Sequence, residues 1–295
     1  MATISRGTKA EKFQFIARYK QTIGVKRLCQ HLEVSRSGYY DWVRRGESKR
    51  SKLDKQLLVH IERIFAKSRN IYGSPKIHQK LRMMGILVGR KRVARLMRKA
   101  KLKAQIVRTY PKKPRSRANF HISENLRLDD KSTQDINTQW STDLTYIPFE
   151  KTWLYLVVVL DLHSRRVVGW ALGRSKNTAL VKRALQHALR KRNPQKGLIL
   201  HSDRGSEFGS AELKEYTESA GIIRSMSRPY KSIDNAEVES FFQKLKGEYI
   251  AKKSYDTQKK LERLIASYIN GFYDSVRMHS SLGYLSPMKY EAAYV

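Results

Sequence analysis

Cysteine is nearly absent from this sequence, since Cys29 is the only one among 295 residues. A lone cysteine excludes a disulfide scaffold, and no Cys/His set has the spacing of a structural zinc site. Long apolar runs are also missing: the longest, Leu154 to Leu160, is far short of the roughly 18 residues that a membrane span needs. Residues 1–20 show no apolar signal-peptide core. We therefore expect a soluble, intracellular protein with no membrane partner.

Acidic residues are scarce, with 26 Asp+Glu against 60 Lys+Arg and a formal net charge of +34. Such a chain repels itself unless a polyanion neutralises it, and nucleic acid is the usual polyanion. The cations are concentrated in residues 1–135. A ribosomal or membrane-surface protein would share this charge, but the apolar second half is too long and too regular for a basic extension. The charge therefore predicts a nucleic-acid-binding protein whose first half makes most of the contacts with the nucleic acid. The chain length predicts two to three domains.

The first 48 residues have the outline of a helix-turn-helix. Apolar residues recur at helical spacing around Phe13 and again around Leu28, and Ser35 or Ser37 can cap the helix that follows. That helix would either direct its aromatic and basic residues towards DNA or bury the aromatics against its partner helix. These residues are Tyr39, Tyr40, Trp42, Arg44 and Arg45.

A second helix-turn-helix outline with a stronger basic face occupies residues 49–104. A helix over Lys52–Lys67 precedes another that starts at Pro75 with Ser74 as its cap, and a third starts after Gly89. The third helix carries six cations with no interleaved carboxylate, which favours phosphate contacts over a solvated face. They are Arg90, Lys91, Arg92, Arg95, Arg98 and Lys99. Residues 105–137 then form a proline-containing linker whose Lys112, Lys113 and Arg115 can lie along a DNA backbone.

From Gln139 onward the pattern changes to strands. Strands are predicted at residues 140–149, 153–161 and 165–172, then a helix at 177–192, a strand at 198–200, a helix at 210–220 and a strand at 222–223. An antiparallel opening followed by alternating helix and strand predicts an α/β fold, with a mixed sheet flanked by helices.

Three carboxylates stand out in this half. Asp143 lies inside the first strand, where Asp is rare, and Asp203 follows the strand at 198–200, at the carboxyl end where open sheets bind ligands. Glu239 lies on a helix that starts near Asp234, with Glu237 as a capping-box partner. Taken singly, each has an ordinary structural reading: a bulge cap for Asp143, an Asx turn for Asp203 and a surface position for Glu239.

Helical phase separates the two glutamates, because residues two apart on a helix point about 200° away from each other. Glu239 shares its side with Asn235, Gln243 and Lys246. Three converging carboxylates need a multivalent cation, and two Mg²⁺ ions about 3.5–4 Å apart are the known arrangement for a phosphodiester substrate. Mn²⁺ would substitute for Mg²⁺.

Three motifs carry a resemblance to a known family: WSTDLTY at residues 140–146, HSDRGSEF at 201–208 and DNAEVESFFQKLK at 234–246. They resemble the catalytic core of the second-frame (OrfB-type) transposases of the bacterial insertion-sequence-three family, which belong with retroviral integrases. The 35 residues between Asp203 and Glu239 match the family spacing, as does Lys246 seven after the glutamate. RMHSSLGY at 277–284 resembles the C-terminal signature, and residues 72–102 resemble the N-terminal helix-turn-helix block.

The resemblance implies a ribonuclease-H-like integrase core over residues 138–252, followed by a C-terminal helical segment over 253–295. It implies a DNA transposase of DDE type, with Asp143, Asp203 and Glu239 as catalytic metal ligands. Double-stranded DNA, further copies of the chain and a first-frame (OrfA-type) protein are the implied partners, and the bacterial nucleoid is the implied location. The sequence departs from the family at Tyr230, where glycine is usual, and at Asp274 and Met278, where asparagine and proline are common.

The expected reaction is hydrolysis of a phosphodiester at an element end, followed by attack of the freed 3′-hydroxyl on another phosphodiester. Four cations would hold DNA near the metals: Arg204, Lys231, Lys244 and Lys246. His201 is interpreted as a satisfied core histidine, and no nucleotide-cofactor motif is present. Two rivals remain, namely a catalytically silent DNA-binding regulator or accessory, and a nuclease that cuts without joining.

Overall fold

The computed structural model describes residues 7–45, 48–106, 122–127, 135–229 and 232–294. The first three helices are α1 (Lys9–Ile23), α2 (Val25–His31) and α3 (Arg36–Arg45). The Ser35 hydroxyl accepts a hydrogen bond from the Gly38 N–H at 3.1 Å, which confirms the predicted capping of α3. Tyr39 is buried and its ring contacts those of Phe13 and Trp42. Tyr39 and Trp42 therefore pack against Phe13 of α1, as the structural alternative predicted, whereas Tyr40 is exposed.

The next three helices are α4 (Lys49–Lys67), α5 (Ser74–Met83) and α6 (Arg90–Lys99). Their shared core contains Leu57, Ile61, Phe65, Ile77, Leu81, Val93 and Leu96. The predicted capping by Ser74 is wrong. Gly73 occupies the N-cap of α5 and Ser74 is already helical, with proline in the first turn.

The α4–α6 unit packs against the C-terminal part of the chain. The Tyr72 hydroxyl accepts from the Met278 N–H at 2.7 Å and donates to the Val276 carbonyl at 3.2 Å. The Arg69 guanidinium lies 5.1 Å from the ring centre of Tyr249 and 4.9 Å from that of Phe272. Buried bonds and cation–π contacts of this kind hold the helical unit against the sheet domain.

Five strands form one mixed sheet, in the order β3-β2-β1-β4-β5. Strands β1 (Gln139–Phe149), β2 (Thr152–Asp161) and β3 (Val167–Gly173) are antiparallel, whereas β4 (Ile199–Ser202) and β5 (Ile223–Met226) continue parallel to β1. The helices of this half are α7 (Thr178–Arg192), α8 (Ala211–Ser219), α9 (Ala236–Glu248), α10 (Gln258–Tyr268) and α11 (Pro287–Tyr294), with a π-helical turn at Ile269–Tyr273. This arrangement confirms the predicted fold class. The last strand begins one residue later than predicted and continues to Met226.

The two faces of the sheet are covered by different helices. Helices α7 and α8 cover one face, and α7 approaches so closely that a Cβ at Gly169 would lie 2.4 Å from the Ala184 carbonyl oxygen. The other face packs against α9 and α10 through Ile147, Phe149, Val238, Phe241 and Leu245. Since side chains alternate along a strand, Asp143 points to the α9 side together with Ile147 and Phe149. Among the described helices, none is long and apolar enough to cross a membrane.

Candidate active site

Two of the predicted carboxylates are neighbours across adjacent parallel strands. The β1–β4 ladder pairs Ser141 with His201, and Asp143 and Asp203 each follow two residues later along their segments. Asp143 is 7% exposed, and Asp203 is half-buried just beyond the end of β4. The Asp203 carboxylate accepts from the Gly205 N–H at 3.0 Å, which forms the expected Asx turn. That turn leaves the Asp203 side chain at the carboxyl end of β4.

The third carboxylate is brought to β1 by a buried asparagine. The Asn235 amide donates to the Thr142 carbonyl at 3.2 Å, and its oxygen accepts from the Ser141 hydroxyl. Asn235 is 2% exposed and immediately precedes α9. Glu239 lies four residues further on, about one turn along the same side of the helix. Asn235 therefore fixes the start of α9 one residue from Asp143 and directs Glu239 to the side of the helix that faces β1.

Lys246 continues this side of α9, as helical phase predicted. Its Nζ lies 4.8 Å from the ring centre of Tyr146, three residues beyond Asp143 on β1. Burial lowers the pKa of Lys246 to about 8, and the Asp143 carboxylate opposes that shift. Lys244 lies on the opposite flank, where its Nζ donates to the Ser240 hydroxyl at 2.6 Å. The structure thus brings Lys246, but not Lys244, towards the acidic residues.

The donor set can be compared with the requirements of a metal ion. Carboxylate oxygens are the ligands that Mg²⁺ prefers, and β1, the end of β4 and the first turn of α9 each supply one carboxylate: Asp143, Asp203 and Glu239. Within the described ranges, however, no group of three His, Cys, Asp or Glu side chains is close enough to hold an ion. Like charges resist being brought together unless a cation neutralises them. The three residues fit a divalent metal by their chemistry, but their side chains do not lie at coordinating distance from a common point.

The loop that carries Asp203 is braced by the residues of its own motif. His201 is fully buried between the hydroxyls of Ser225 and Ser227, at 2.9 and 3.0 Å. Burial lowers the pKa of His201 to about 4, so the ring is neutral at physiological pH. This confirms the interpretation of His201 as a satisfied core histidine. Arg204 donates from Nε to the Ser227 carbonyl at 2.8 Å, which anchors its guanidinium beside Asp203.

Glu237 has a different role from the predicted capping box, which is wrong. Helix α9 begins at Ala236 and, in the part of the chain that the structure describes, no side chain caps its N-terminus. Glu237 instead pairs with Arg127 at 3.0 Å and Arg165 at 3.3 Å. Burial alone would raise the pKa of Glu237, but the two arginines hold it below its usual range.

Arg127 was not identified from the sequence. It is 2% exposed and also donates to the Asp234 carbonyl at 3.1 Å, so it ties the segment before β1 to the start of α9. It sits in a stretch without apolar periodicity, where one arginine among many gives no signal of burial.

The basic helix α6 is partly neutralised by an unforeseen carboxylate. Asp54 of α4 accepts from Arg92 at 2.7 Å and from Arg95 at 2.5 Å, which holds the pKa of Asp54 below its usual range. Arg92 and Arg95 are therefore already paired with a carboxylate, while phosphate contact by the six cations stays a prediction. The remaining cations of α6 are exposed: Arg90, Lys91, Arg98 and Lys99. The predicted DNA contacts Lys112, Lys113, Arg115 and Lys231 lie outside the described residues.

Sequence comparison finds three family matches along the chain. The integrase core domain family matches residues 134–232 and a second integrase core family matches 220–287, while an HTH-like domain family matches 52–110. The chain is 35% identical to an uncharacterized 31 kDa protein of insertion element IS600 from Shigella sonnei, over 90% of this chain and 98% of that protein. It is 33% identical to the transposase InsF of insertion sequence IS3A from Escherichia coli K12, over 95% and 98%.

Among solved structures, a simian T-cell lymphotropic virus intasome chain is similar at a TM-score of 0.45 and 15% identity, over 72% of this chain and 69% of that one. A likeness at this score adds nothing to the assignment, which rests on the sequence relatives. Those relatives match this chain over nearly their whole length, with the integrase core domain at Asp143 and Asp203. The chain therefore belongs to the IS3 family of insertion-sequence transposases.

Proposed function

We propose that this transposase cuts a DNA strand at the ends of its insertion sequence and joins the freed 3′-hydroxyl to a second DNA site. The observation that carries the proposal is the Asn235 contact with β1. It supports a site in which Glu239 lies on the side of α9 that faces Asp143, and the β1–β4 register, which pairs Ser141 with His201, supports Asp203 next to Asp143 in that site. Metal-dependent phosphodiester chemistry requires such a set of carboxylates on rigid elements.

The proposed roles follow from these positions. Asp143, Asp203 and Glu239 would hold divalent metal, which we take to be two Mg²⁺ ions that Mn²⁺ can replace. When bound, the metal would activate the attacking oxygen and stabilise the leaving oxygen. Lys246, beside Tyr146, would hold DNA next to the scissile phosphodiester. Ser141 and Asn235 keep α9 in register with β1, and neutral His201 keeps β4 against β5.

The partners and domain limits are proposals of the same kind. Double-stranded DNA at the element ends and at the target is the substrate, so the reaction takes place in the bacterial cytoplasm at the nucleoid. Joining two ends at once calls for more than one copy, and a first-frame protein would supply a further DNA-binding unit. We place the domain limits near residues 48, 104, 137 and 252.

The two rivals differ from this proposal in their products. A regulator would bind element ends without cutting them, and a nuclease would leave nicked DNA without joined strands. DNA binding by a regulator does not require three carboxylates or an asparagine that positions one of them, so their presence favours the catalytic proposal. Separating joined from nicked products, on a duplex with the element's terminal bases, tests all three functions together.

Neutralising the exposed cations of α6 should weaken DNA binding through phosphate contacts. We expect Lys91→Gln, Arg98→Gln and Lys99→Gln together to lower affinity for any duplex sequence. The slope of log affinity against log salt should flatten by about 0.9 for each phosphate that the variant no longer neutralises. Arg92 and Arg95 are left in place because their removal would leave the Asp54 carboxylate without these two ion-pair partners. Binding titrations between low and high salt measure the slope, and an unchanged slope would mean that this face does not contact DNA.

Replacing Lys246 should disturb the position of cleavage more than its occurrence. We expect Lys246→Ala to keep the fold, to lower joining and to shift some cuts away from the correct end. The reason is that Lys246 lies two helical turns, about 10.5 Å, beyond Glu239 on the same side of α9. Sequencing-gel mapping of cut positions is the measurement. Lys259→Ala, which removes an exposed lysine of α10, is the matched control and should give the wild-type pattern. A wild-type pattern for Lys246→Ala would leave that lysine with only its packing role against Tyr146.

A further inference from the structure

A polar pocket lies on the flank of α9 that carries Lys244. Its volume is about 260 Å³, several times the roughly 30 Å³ share of a water molecule. It lies between α9, the loop after β2 and the C-terminal segment, and its lining residues include Arg165, Ser240, Lys244, Tyr273, His279 and Ser281. Since Lys246 and Lys244 occupy opposite flanks of α9, this pocket is separate from the acidic residues.

A buried histidine in this pocket has a nitrogen with no partner. His279 is 6% exposed, and its Nε2 finds no hydrogen-bond partner in the part of the chain that the structure describes. The ring packs edge-on against Tyr273, with centroids 4.8 Å apart, so it cannot readily turn Nε2 to solvent. Burial, and then the cations Arg277 and Lys244, hold the pKa of His279 well below its usual range. A buried polar atom without a partner calls for a ligand that supplies one.

The charges around the pocket favour an anion. Arg165 and Lys244 line it, and among the lining residues that the structure describes Glu237 brings the one carboxylate, already paired with Arg127 and Arg165. Burial, and then the nearby Arg277, lower the pKa of Lys244 to about 8, while the Glu248 carboxylate opposes the shift. Lys76 of α5 experiences the same two effects, and its pKa is about 7. Cations crowded in this way are stabilised when a negative group binds between them.

We propose that this pocket binds one backbone phosphate of DNA, held by Arg165, Lys244 and His279, at a subsite separate from the acidic residues. The non-bridging oxygens of the phosphate would accept from the guanidinium of Arg165, the ammonium of Lys244 and the Nε2–H tautomer of His279. The choice of DNA as the source of the phosphate rests on the proposed function. A helix with its side chains is about 10–12 Å across, and one strand of a duplex rises about 3.4 Å per nucleotide. The bound phosphate would thus lie about three nucleotides from the scissile one.

A scan with methylphosphonates tests this subsite. Each duplex carries the terminal bases of the element and one uncharged methylphosphonate, and binding to the full chain is measured with EDTA so that no cleavage occurs. We expect one position at which the wild-type chain loses about tenfold in affinity, as for one hydrogen bond to a charged group. At that position the methylphosphonate should lower the affinity of Lys244→Gln and of Arg165→Gln only slightly, because each variant already lacks a side chain that binds the phosphate charge. Lys259→Gln should keep the wild-type profile.

The subsite proposal is overturned if each methylphosphonate lowers the affinity of both Lys244→Gln and Arg165→Gln as much as it lowers that of the wild type. Neither substitution removes a fully buried side chain, so both variants can be checked for folding by circular dichroism beforehand. Strand joining by the wild-type chain is scored in a separate assay with Mg²⁺. If the wild-type chain joins strands but shows no methylphosphonate effect, the subsite proposal is wrong and the proposed transposase activity stands. If it shows the methylphosphonate effect but joins no strands, the proposed activity is wrong and the subsite stands.

Discussion

Substituting any one of the three carboxylates should abolish cleavage and joining. Asp143→Asn, Asp203→Asn and Glu239→Gln each remove a ligating charge with little change in volume. Metal assistance is worth several kcal/mol, so we expect each rate to fall by at least about a thousandfold. Binding of duplex DNA should stay near the wild-type level, because the exposed cations of α6 lie on another unit. Gel assays of cut and joined strands, with binding measured in parallel, test this expectation.

Glu237→Gln is the matched control for Glu239→Gln, since both change a glutamate in the first turn of α9. We expect it to cleave and join DNA, because Glu237 faces Arg127 and Arg165 and not Asp143. It should lower the thermal midpoint, since Arg127 loses its charged partner. An inactive Glu237→Gln beside an active Glu239→Gln would show that the two flanks of α9 are assigned the wrong way round.

Asp274→Asn should remove a pH-dependent loss of stability. Asp274 is 2% exposed, and burial raises its pKa to about 7, although the Val167 N–H donates to its carboxylate at 3.1 Å. A folded-state pKa above the unfolded one means that the contribution to stability is complete below about pH 4 and is lost as the pH rises through about 7. A pKa difference of about three units between the folded and unfolded states corresponds to about 4 kcal/mol in the free energy of unfolding. Asparagine keeps the acceptor oxygen and never ionises.

Urea unfolding at several pH values, followed by tryptophan fluorescence, measures this effect. The stability of Asp274→Asn relative to the wild type should increase steadily from pH 4 to pH 8 and then level off. Asp41→Asn, a change of an exposed carboxylate on α3, should show no gain of this size. A difference between Asp274→Asn and the wild type that does not vary with pH would mean that Asp274 does not titrate in this range.

The sequence was sufficient for features that depend on regular periodicity. The alternating pattern of residues 140–149 predicted the strand that contains Asp143, and the apolar run at 198–200 predicted the strand that precedes Asp203; β1 and β4 confirm both strands. The 3.6-residue period of α9 separated Lys246 from Lys244, and their contacts agree. Such features are decided within one element, so local patterns are enough to predict them.

Contacts between distant segments were not predictable in this way. The Asn235 amide on Thr142, the buried Arg127 and the Asp54 pair with Arg92 each join residues far apart in the sequence. A single sequence shows the residue types but not which of them meet. The same holds for Tyr72, whose hydroxyl lies at the C-terminal segment: its motif was noticed, but its partner Met278 was not.

The formation of joined strands is the measurement that tests the central claim most directly. The purified chain, with and without the element's first-frame protein, is incubated with Mg²⁺ and a duplex that carries the element's terminal bases. We predict that wild-type protein cuts the duplex at the element end and joins the new 3′ end to another duplex, and that Glu239→Gln does neither. Binding without cutting by the wild type under both conditions, or joined strands from Glu239→Gln, would contradict the account.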